Sequence, residues 1–227
     1  MNFKLFLKEL NGNRVEGKII KSIFFSLAAS LIFLAILYFF KFRLIEEFIP
    51  KYGAPLFFMA LSYAFIMPVI KQIGVYREMP CMSGMMVGMT SGMISGFLPG
   101  FYVASTNGMF VGGFFGVALG ILIGIWNGKC CGIMGIMEGI MAGFMGGLMG
   151  AMTAFMLLND NLKIAAIIVF IICSAVLFGL NYLIYKEMQE HHGKAEEGPL
   201  FILTLTIILI AVTTWLMVYG PKSGAVG

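Results

Sequence analysis

Residues 79–128 read MPCMSGMMVGMTSGMISGFLPGFYVASTNGMFVGGFFGVALGILIGIWNG, a stretch without a single charged side chain. A helix that crosses the roughly 30 Å hydrocarbon core of a bilayer needs about 20 mostly apolar residues. The stretch is too long for one such helix and therefore predicts two. The break between them is expected at 104–107, Ala-Ser-Thr-Asn, because small polar residues permit a tight turn.

Similar apolar runs lie on both sides of this stretch. Of the 227 residues, 60% are hydrophobic and only 11% are charged, whereas an average soluble domain carries roughly 25% charged residues. We therefore expect an all-α, polytopic membrane protein with a single helical membrane domain over 21–221. Residues 1–20 alternate basic and apolar side chains and predict an interfacial amphipathic segment. The seven predicted spans are 22–40, 53–70, 82–103, 108–126, 131–158, 163–185 and 200–219.

Lys and Arg side chains near the span ends predict the orientation, since such residues are enriched in cytoplasmic loops. With a cytoplasmic N-terminus, ten of these cations lie inside and five outside. We therefore expect a plasma (inner) membrane location with the N-terminus cytoplasmic and the C-terminus outside. The net charge of +4 is too small and too spread out to indicate a nucleic-acid partner.

Glycine recurs at every fourth position in the three central spans. The series in the third span superposes on the series in the fifth span with an offset of 47 residues. Glycine at this spacing lets helix backbones approach closely. It predicts a glycine-zipper hub over 81–158, with the other four spans as an outer wall. The three series are Gly84, Gly88, Gly92, Gly96; Gly108, Gly112, Gly116, Gly120, Gly124, Gly128; and Gly135, Gly139, Gly143.

Methionine is concentrated in the same hub, where residues 82–156 hold 13 of the 19. On a helical wheel of the fifth span, the methionines form a stripe separate from the glycines. Glu138, the only charge of that span, falls inside the methionine stripe. In the third span the methionines overlap the glycine arc, so we expect them to point into the hub.

Thioether and thiolate sulfur select Cu(I) over hard ions such as Mg²⁺. A carboxylate inside a membrane indicates a functional site, and Glu138 would offset the charge of a bound cation. The leading expectation is therefore binding or transport of a soft monovalent metal, most simply Cu(I). Cys81, Cys130 and Cys131 are expected to exchange the metal at the cytoplasmic mouth. The other candidate ligands are Met85, Met89, Met93, Met134, Met137, Met141 and Met145.

The Met-x-x-x-Met spacing at Met89 and Met93, followed by Gly108-x-x-x-Gly112, resembles the motif of the high-affinity copper transporters. Proteins of that family are homotrimeric Cu(I) permeation pathways. The resemblance implies that Met89 and Met93 are sulfur ligands. It covers only residues 89–112, and the family has three spans where this chain is expected to have seven.

Two other functions fit the same residues. The first alternative to metal binding is a non-transporting membrane scaffold or accessory subunit of a larger complex. The second is a cation or proton channel centred on Glu138. A homo-oligomer or partner membrane subunits are expected, because glycine-faced helices are common in assemblies. No nucleophile–base set, phosphate-binding loop or dinucleotide fingerprint is present in the sequence, so we expect no enzymatic activity.

Overall fold

The computed structural model describes residues 17–40, 52–75, 80–158, 161–188 and 199–222. These residues form seven α-helices and one short 3₁₀ turn, and no β-strand occurs among them. The helices are α1 (Gly17–Phe40), α2 (Ala54–Val75), α3 (Cys81–Asn107), α4 (Met109–Gly128), α5 (Gly132–Met156), α6 (Leu162–Met188) and α7 (Pro199–Tyr219). The all-helical prediction is confirmed for this part of the chain, and residues 1–16 of the predicted amphipathic segment lie outside it.

Five helices are long and apolar enough to cross a membrane, judged by length and composition. They indicate a lipid-bilayer environment for the protein. Shorter apolar stretches occupy Ile23–Phe39 of α1 and Leu203–Tyr219 of α7. The five qualifying segments are Ala54–Ile73, Cys81–Asn107, Met109–Gly128, Gly132–Met156 and Leu162–Ile184.

Two tight turns connect the three central helices, and each contains a glycine with positive φ. Gly108, between α3 and α4, has φ 107°. Gly132, after the 3₁₀ turn Lys129–Cys131, has φ 66°. Because side chains other than glycine rarely adopt such angles, these two positions explain why the chain reverses there. The first reversal follows the predicted break at 104–107 directly.

The three central helices contact one another backbone to backbone. A methyl group added at Gly96 of α3 would stand 2.9 Å from the carbonyl oxygen of Gly143 of α5. One added at Gly120 of α4 would stand 2.8 Å from Gly143 Cα and 2.9 Å from Gly96 Cα. Such distances leave no space for any side chain, so only glycine permits this approach.

These contacts repeat in layers along the hub. Gly88 lies against Gly128 and Gly135, and the next layers follow at intervals of four residues. The pairing makes α3 and α5 parallel to each other and α4 antiparallel to both. The helices pair the same glycines that the 47-residue offset superposes in the sequence. The further layers are Gly92, Gly124, Gly139; Gly96, Gly120, Gly143; and Gly100, Gly116, Gly147.

The other four helices stand on one side of this hub. Helix α3 packs against α2, α6 and α7, and α1 packs against α2 and α7. Among the described residues, α5 makes its substantial contacts only with α3, α4 and the 3₁₀ turn, and α4 touches α2 only slightly. The expectation of an outer wall around the hub is therefore wrong: the outer surfaces of α4 and α5 remain uncovered.

Candidate functional site

The methionines of α5 line the uncovered surface of that helix. All seven are exposed, with 63% of Met141 accessible, whereas Gly135, Gly139 and Gly143 on the opposite side are buried. The separation of methionine and glycine stripes predicted for this helix is confirmed. We call this surface the Met face; it comprises Met134, Met137, Met141, Met145, Met149, Met152 and Met156.

The methionines of α3 also lie on the outside of the hub. Met86, Met89 and Met93 are exposed, with 51% of Met89 accessible, and Met85 is partly buried. The expectation that they point into the hub is wrong for the exposed three. The glycine layers bring the backbones so close that no side chain of this size fits between the central helices. Methionine is therefore displaced to the outer edge of the same helix.

The exposed methionines of α3 and α5 border one groove. Gly146 of α5 packs against the backbone carbonyl of Met93, and Gly150 packs against that of Phe97. Met145 and Met149 are the chain neighbours of these two glycines, and both are exposed. The side chains of Met93 and Met145 therefore flank the same line of contact between the helices. We call this line the α3–α5 groove.

Glu138 lies on the groove side of the Met face. It is partly buried, and on the helical wheel it falls between Met145 and Met149. The parallel register places it at the height of the α3 segment that contains Met86, Met89 and Met93. Glu138 therefore lies at the same level of the hub as methionines of both helices.

The carboxylate lies near one end of its helix. Glu138 is six residues into α5, about 9 Å along the axis at 1.5 Å per residue. On α4 the same end carries Trp126, whose ring lies 5.7 Å from the ammonium group of Lys129. Tryptophan and lysine are enriched where a membrane meets water. Glu138 thus lies toward the end of the hub that carries this Trp–Lys pair.

The cysteines gather at this end as well. The thiol of Cys131 donates a hydrogen bond of 2.9 Å to the main-chain carbonyl of Cys81. Cys131 is buried and Cys81 is exposed. The side chain of Cys130 lies outside the described residues. The structure thus places two of the three predicted exchange cysteines next to each other, about two helical turns from the level of Glu138.

Apart from the cysteines and the partly buried Met85, the predicted ligands fall into two groups. Met89, Met93, Glu138 and Met145 border the α3–α5 groove, whereas Met134, Met137 and Met141 continue the Met face away from α3. Among the described residues no group of three His, Cys, Asp or Glu side chains is placed to hold a metal ion.

A buried polar cluster was not expected from the sequence. The hydroxyl of Tyr63 lies beside Thr213, and that of Tyr102 lies beside Ser62, but neither tyrosine hydroxyl reaches hydrogen-bond geometry. Ser62 and Thr213 instead donate to carbonyls of their own helices, at 2.7 and 2.9 Å. The four residues lie in apolar helices, and no spacing pattern in the sequence indicates that they meet. Their proximity follows only from the packing of α2 against α3 and α7.

No family model matches the chain, and comparisons with curated proteins and with solved structures find no match.

Proposed function

We propose that the protein is a non-enzymatic membrane protein that binds a soft monovalent metal ion, most simply Cu(I), in the α3–α5 groove. One observation carries the proposal. The parallel packing of α3 and α5 lines Met89 and Met93 of one helix and Met145 of the other along the same groove, with Glu138 beside them. Such a set joins neutral soft ligands to a single negative charge.

The chemistry of these side chains suits a monovalent ion. Thioether sulfur prefers Cu(I) to hard cations, and being neutral it does not trap the ion by charge. One carboxylate balances one positive charge, which lowers the cost of holding the ion in an apolar environment. Cys81 and Cys131, at the nearer end of the hub, are placed to pass the metal to or from the groove.

The rest of the proposed setting follows from the sequence. The chain is proposed to lie in a plasma membrane with the N-terminus cytoplasmic, and its central helices form a glycine zipper that holds the groove in shape. The Met face beyond the groove, with Met134, Met137 and Met141, extends the sulfur surface along α5. If the protein transports the metal ion, the ion moves along this sulfur surface by passive or ion-coupled transport.

Cu(I) stoichiometry tests the proposal. The reduced, detergent-purified protein competes with a chromophoric Cu(I) chelator, beside the variant Met141→Leu/Met145→Leu. Leucine keeps the volume and removes the sulfur. The control Met59→Leu/Met67→Leu removes two buried methionines of α2. We expect at least one Cu(I) per chain, bound at least tenfold more weakly by the first variant and unchanged in the control. Equal binding by all three proteins would contradict the proposal.

An accessory subunit is the second candidate. Its supporting observation is that no described helix covers the outer surfaces of α4 and α5, and methionine-rich surfaces suit adaptable protein contacts. A subunit of this kind would bind no Cu(I) and would tolerate the Met→Leu changes. A proton or cation channel centred on Glu138 would tolerate the Met→Leu changes, which separates it from the metal site. The variant Glu138→Gln separates it from an accessory subunit. It would abolish ion flux through a channel, whereas a subunit without transport would show no flux in either form.

A further inference from the structure

Two stripes of different character run along the uncovered side of the hub. Helix α5 presents the Met face. Helix α4 presents a largely aromatic stripe with one residue per turn, and its most exposed member, Phe110, is 85% accessible. We call it the α4 stripe; it comprises Phe110, Phe114, Ala118, Leu122 and Trp126. Neither stripe is covered by another helix among the described residues.

The glycine layers fix the relative heights of the two stripes. Gly124 lies opposite Gly139, and Gly116 lies opposite Gly147. Because α4 and α5 run in opposite directions, each step forward along α4 corresponds to one step backward along α5. Each residue of the α4 stripe can therefore be assigned a residue of α5 at the same height along the hub. Trp126 stands at the level of Met137, Leu122 at Met141, Ala118 at Met145 and Phe114 at Met149.

Copies of a protein inserted in one orientation share these heights, because their symmetry axis lies along the membrane normal. The α4 stripe of one copy therefore meets the Met face of a neighbour level by level. The rings of Trp126 and Phe114 each meet a thioether, a pairing that stabilises by about 0.3–1.5 kcal/mol in proteins. The small Ala118, between bulky Phe114 and Leu122, leaves a depression at the level of Met145.

The positions of Glu138 and Lys129 distinguish this contact from one in which the Met faces of two copies meet. If two Met faces met about a two-fold axis, the two Glu138 carboxylates would stand at the same height and repel each other. If the α4 stripe meets the Met face, Glu138 of one copy faces the end of α4 that carries Lys129 in the neighbour. The two positions are about 6 Å apart along the axis, within reach of a lysine side chain. In a low-dielectric environment this opposite-charge pairing is strongly favoured over repulsion.

We propose that the α4 stripe of one copy docks on the Met face of the next copy, and that the repeated contact closes a ring of identical chains. A head-to-tail contact of this kind closes when the rotation between copies divides a full turn. The pairing does not rest on metal binding, since a carboxylate has two oxygens. One oxygen of Glu138 pairs with Lys129 of the neighbouring copy while the other remains on the groove side.

Cross-linking in native membranes tests the docking. One tagged copy carries Ala118→Cys, a differently tagged copy carries Met145→Cys, and a thiol oxidant free of copper is applied. We expect a disulfide that joins the two tags, and a ladder of three or more chains when one chain carries both changes. Each single variant expressed alone supplies the background from the native cysteines.

Two outcomes would overturn the proposal. Linkage of Met145→Cys copies to one another would indicate the symmetric α5 contact, and no linkage above background would indicate a surface covered by lipid or by another protein. A charge exchange gives an independent check. Glu138→Lys and Lys129→Glu should each reduce the cross-linked fraction severalfold, and the double exchange should restore it. Failure of the double exchange to restore linkage would exclude the proposed pairing, provided that its thermal unfolding matches that of the parent.

Discussion

The side-chain amide of Asn107 donates a hydrogen bond of 2.9 Å to the main-chain carbonyl of Leu216, 109 residues further along the chain. The same carbonyl accepts a bond of 2.8 Å from the backbone nitrogen of Gly220. The Asn107 carbonyl oxygen in turn accepts a bond of 2.8 Å from the Thr106 hydroxyl. The turn between α3 and α4 is thereby attached to the end of α7, across the boundary between the hub and the outer helices.

Replacing Asn107 should loosen this attachment. Asn107→Ala is expected to lower the free energy of unfolding by about 0.5–1.5 kcal/mol, the net value of one hydrogen bond. The loss stays modest because the Leu216 carbonyl keeps the Gly220 nitrogen and the Thr106 hydroxyl keeps the Val103 carbonyl as partners. Ser174→Ala is the control, since the Ser174 hydroxyl bonds only to the Ile171 carbonyl of its own helix and makes no hydrogen bond between helices. Denaturant titration in detergent measures both changes, and equal stability of the two variants would contradict the structural role of Asn107.

The glycine layers predict a sharp contrast between two Gly→Ala substitutions. At Gly124 the added methyl group would overlap the backbone of Gly139, whereas at Gly179 of α6 nothing lies within 4 Å of it. Gly124→Ala should destabilise by about 1–3 kcal/mol through overpacking. Gly179→Ala should be neutral or stabilising by up to about 1 kcal/mol, because alanine is the better helix former. Thermal unfolding of the two variants decides, and a harmless Gly124→Ala would refute the close approach.

Coupling between α3 and α5 methionines tests whether they share one metal site. Met93→Leu and Met145→Leu, combined, should weaken Cu(I) binding by less than the product of the two single effects. Residues that serve one ion act as a unit and are not additive. Met152→Leu, further along α5, supplies the comparison pair with Met93→Leu. Strict additivity between Met93→Leu and Met145→Leu in chelator competition would argue for separate binding positions.

The buried tyrosines predict an effect of the opposite sign to most core changes. Tyr63 is 0% exposed, and its hydroxyl makes no hydrogen bond of good geometry. Tyr63→Phe keeps the ring and removes the cost of burying that hydroxyl. We expect stability unchanged or raised by up to about 1 kcal/mol, measured by denaturant titration. A loss above about 1 kcal/mol would mean that a water molecule or another group satisfies the hydroxyl.

Much of the hub could be predicted from residue spacing. The period of four in the glycines and the offset of 47 residues correspond to contacts observed between α3, α4 and α5. The separation of Met141 from the glycine stripe followed from the helical wheel of the same helix. The positions of Met89 and Met93 were predicted wrongly, because overlap with a glycine arc was taken to mean burial. The glycine surface is so flat that a side chain at its margin already lies outside the contact.

The arrangement of the outer helices could not be predicted. Their Ile-, Leu- and Phe-rich sequences carry no periodic signal, and an apolar helix satisfies lipid and protein neighbours alike. The attachment of Asn107 to Leu216 depends on two segments far apart in the chain. Spacing explained Asn107 as a turn residue, and only the tertiary fold adds its second role.

The glycine period has a consequence for the register of the hub. Since glycine recurs every fourth residue, sliding one helix past another by four residues, about 6 Å at 1.5 Å per residue, would set glycine against glycine again. The glycine contacts alone are therefore compatible with several helix registers that differ by four residues. Features at the helix ends select one of these registers: the chain reversals at Gly108 and Gly132, and the hydrogen bond between Asn107 and the Leu216 carbonyl. A protein built in this way can keep its helices in close contact while the alignment itself is decided by a few residues at its edge.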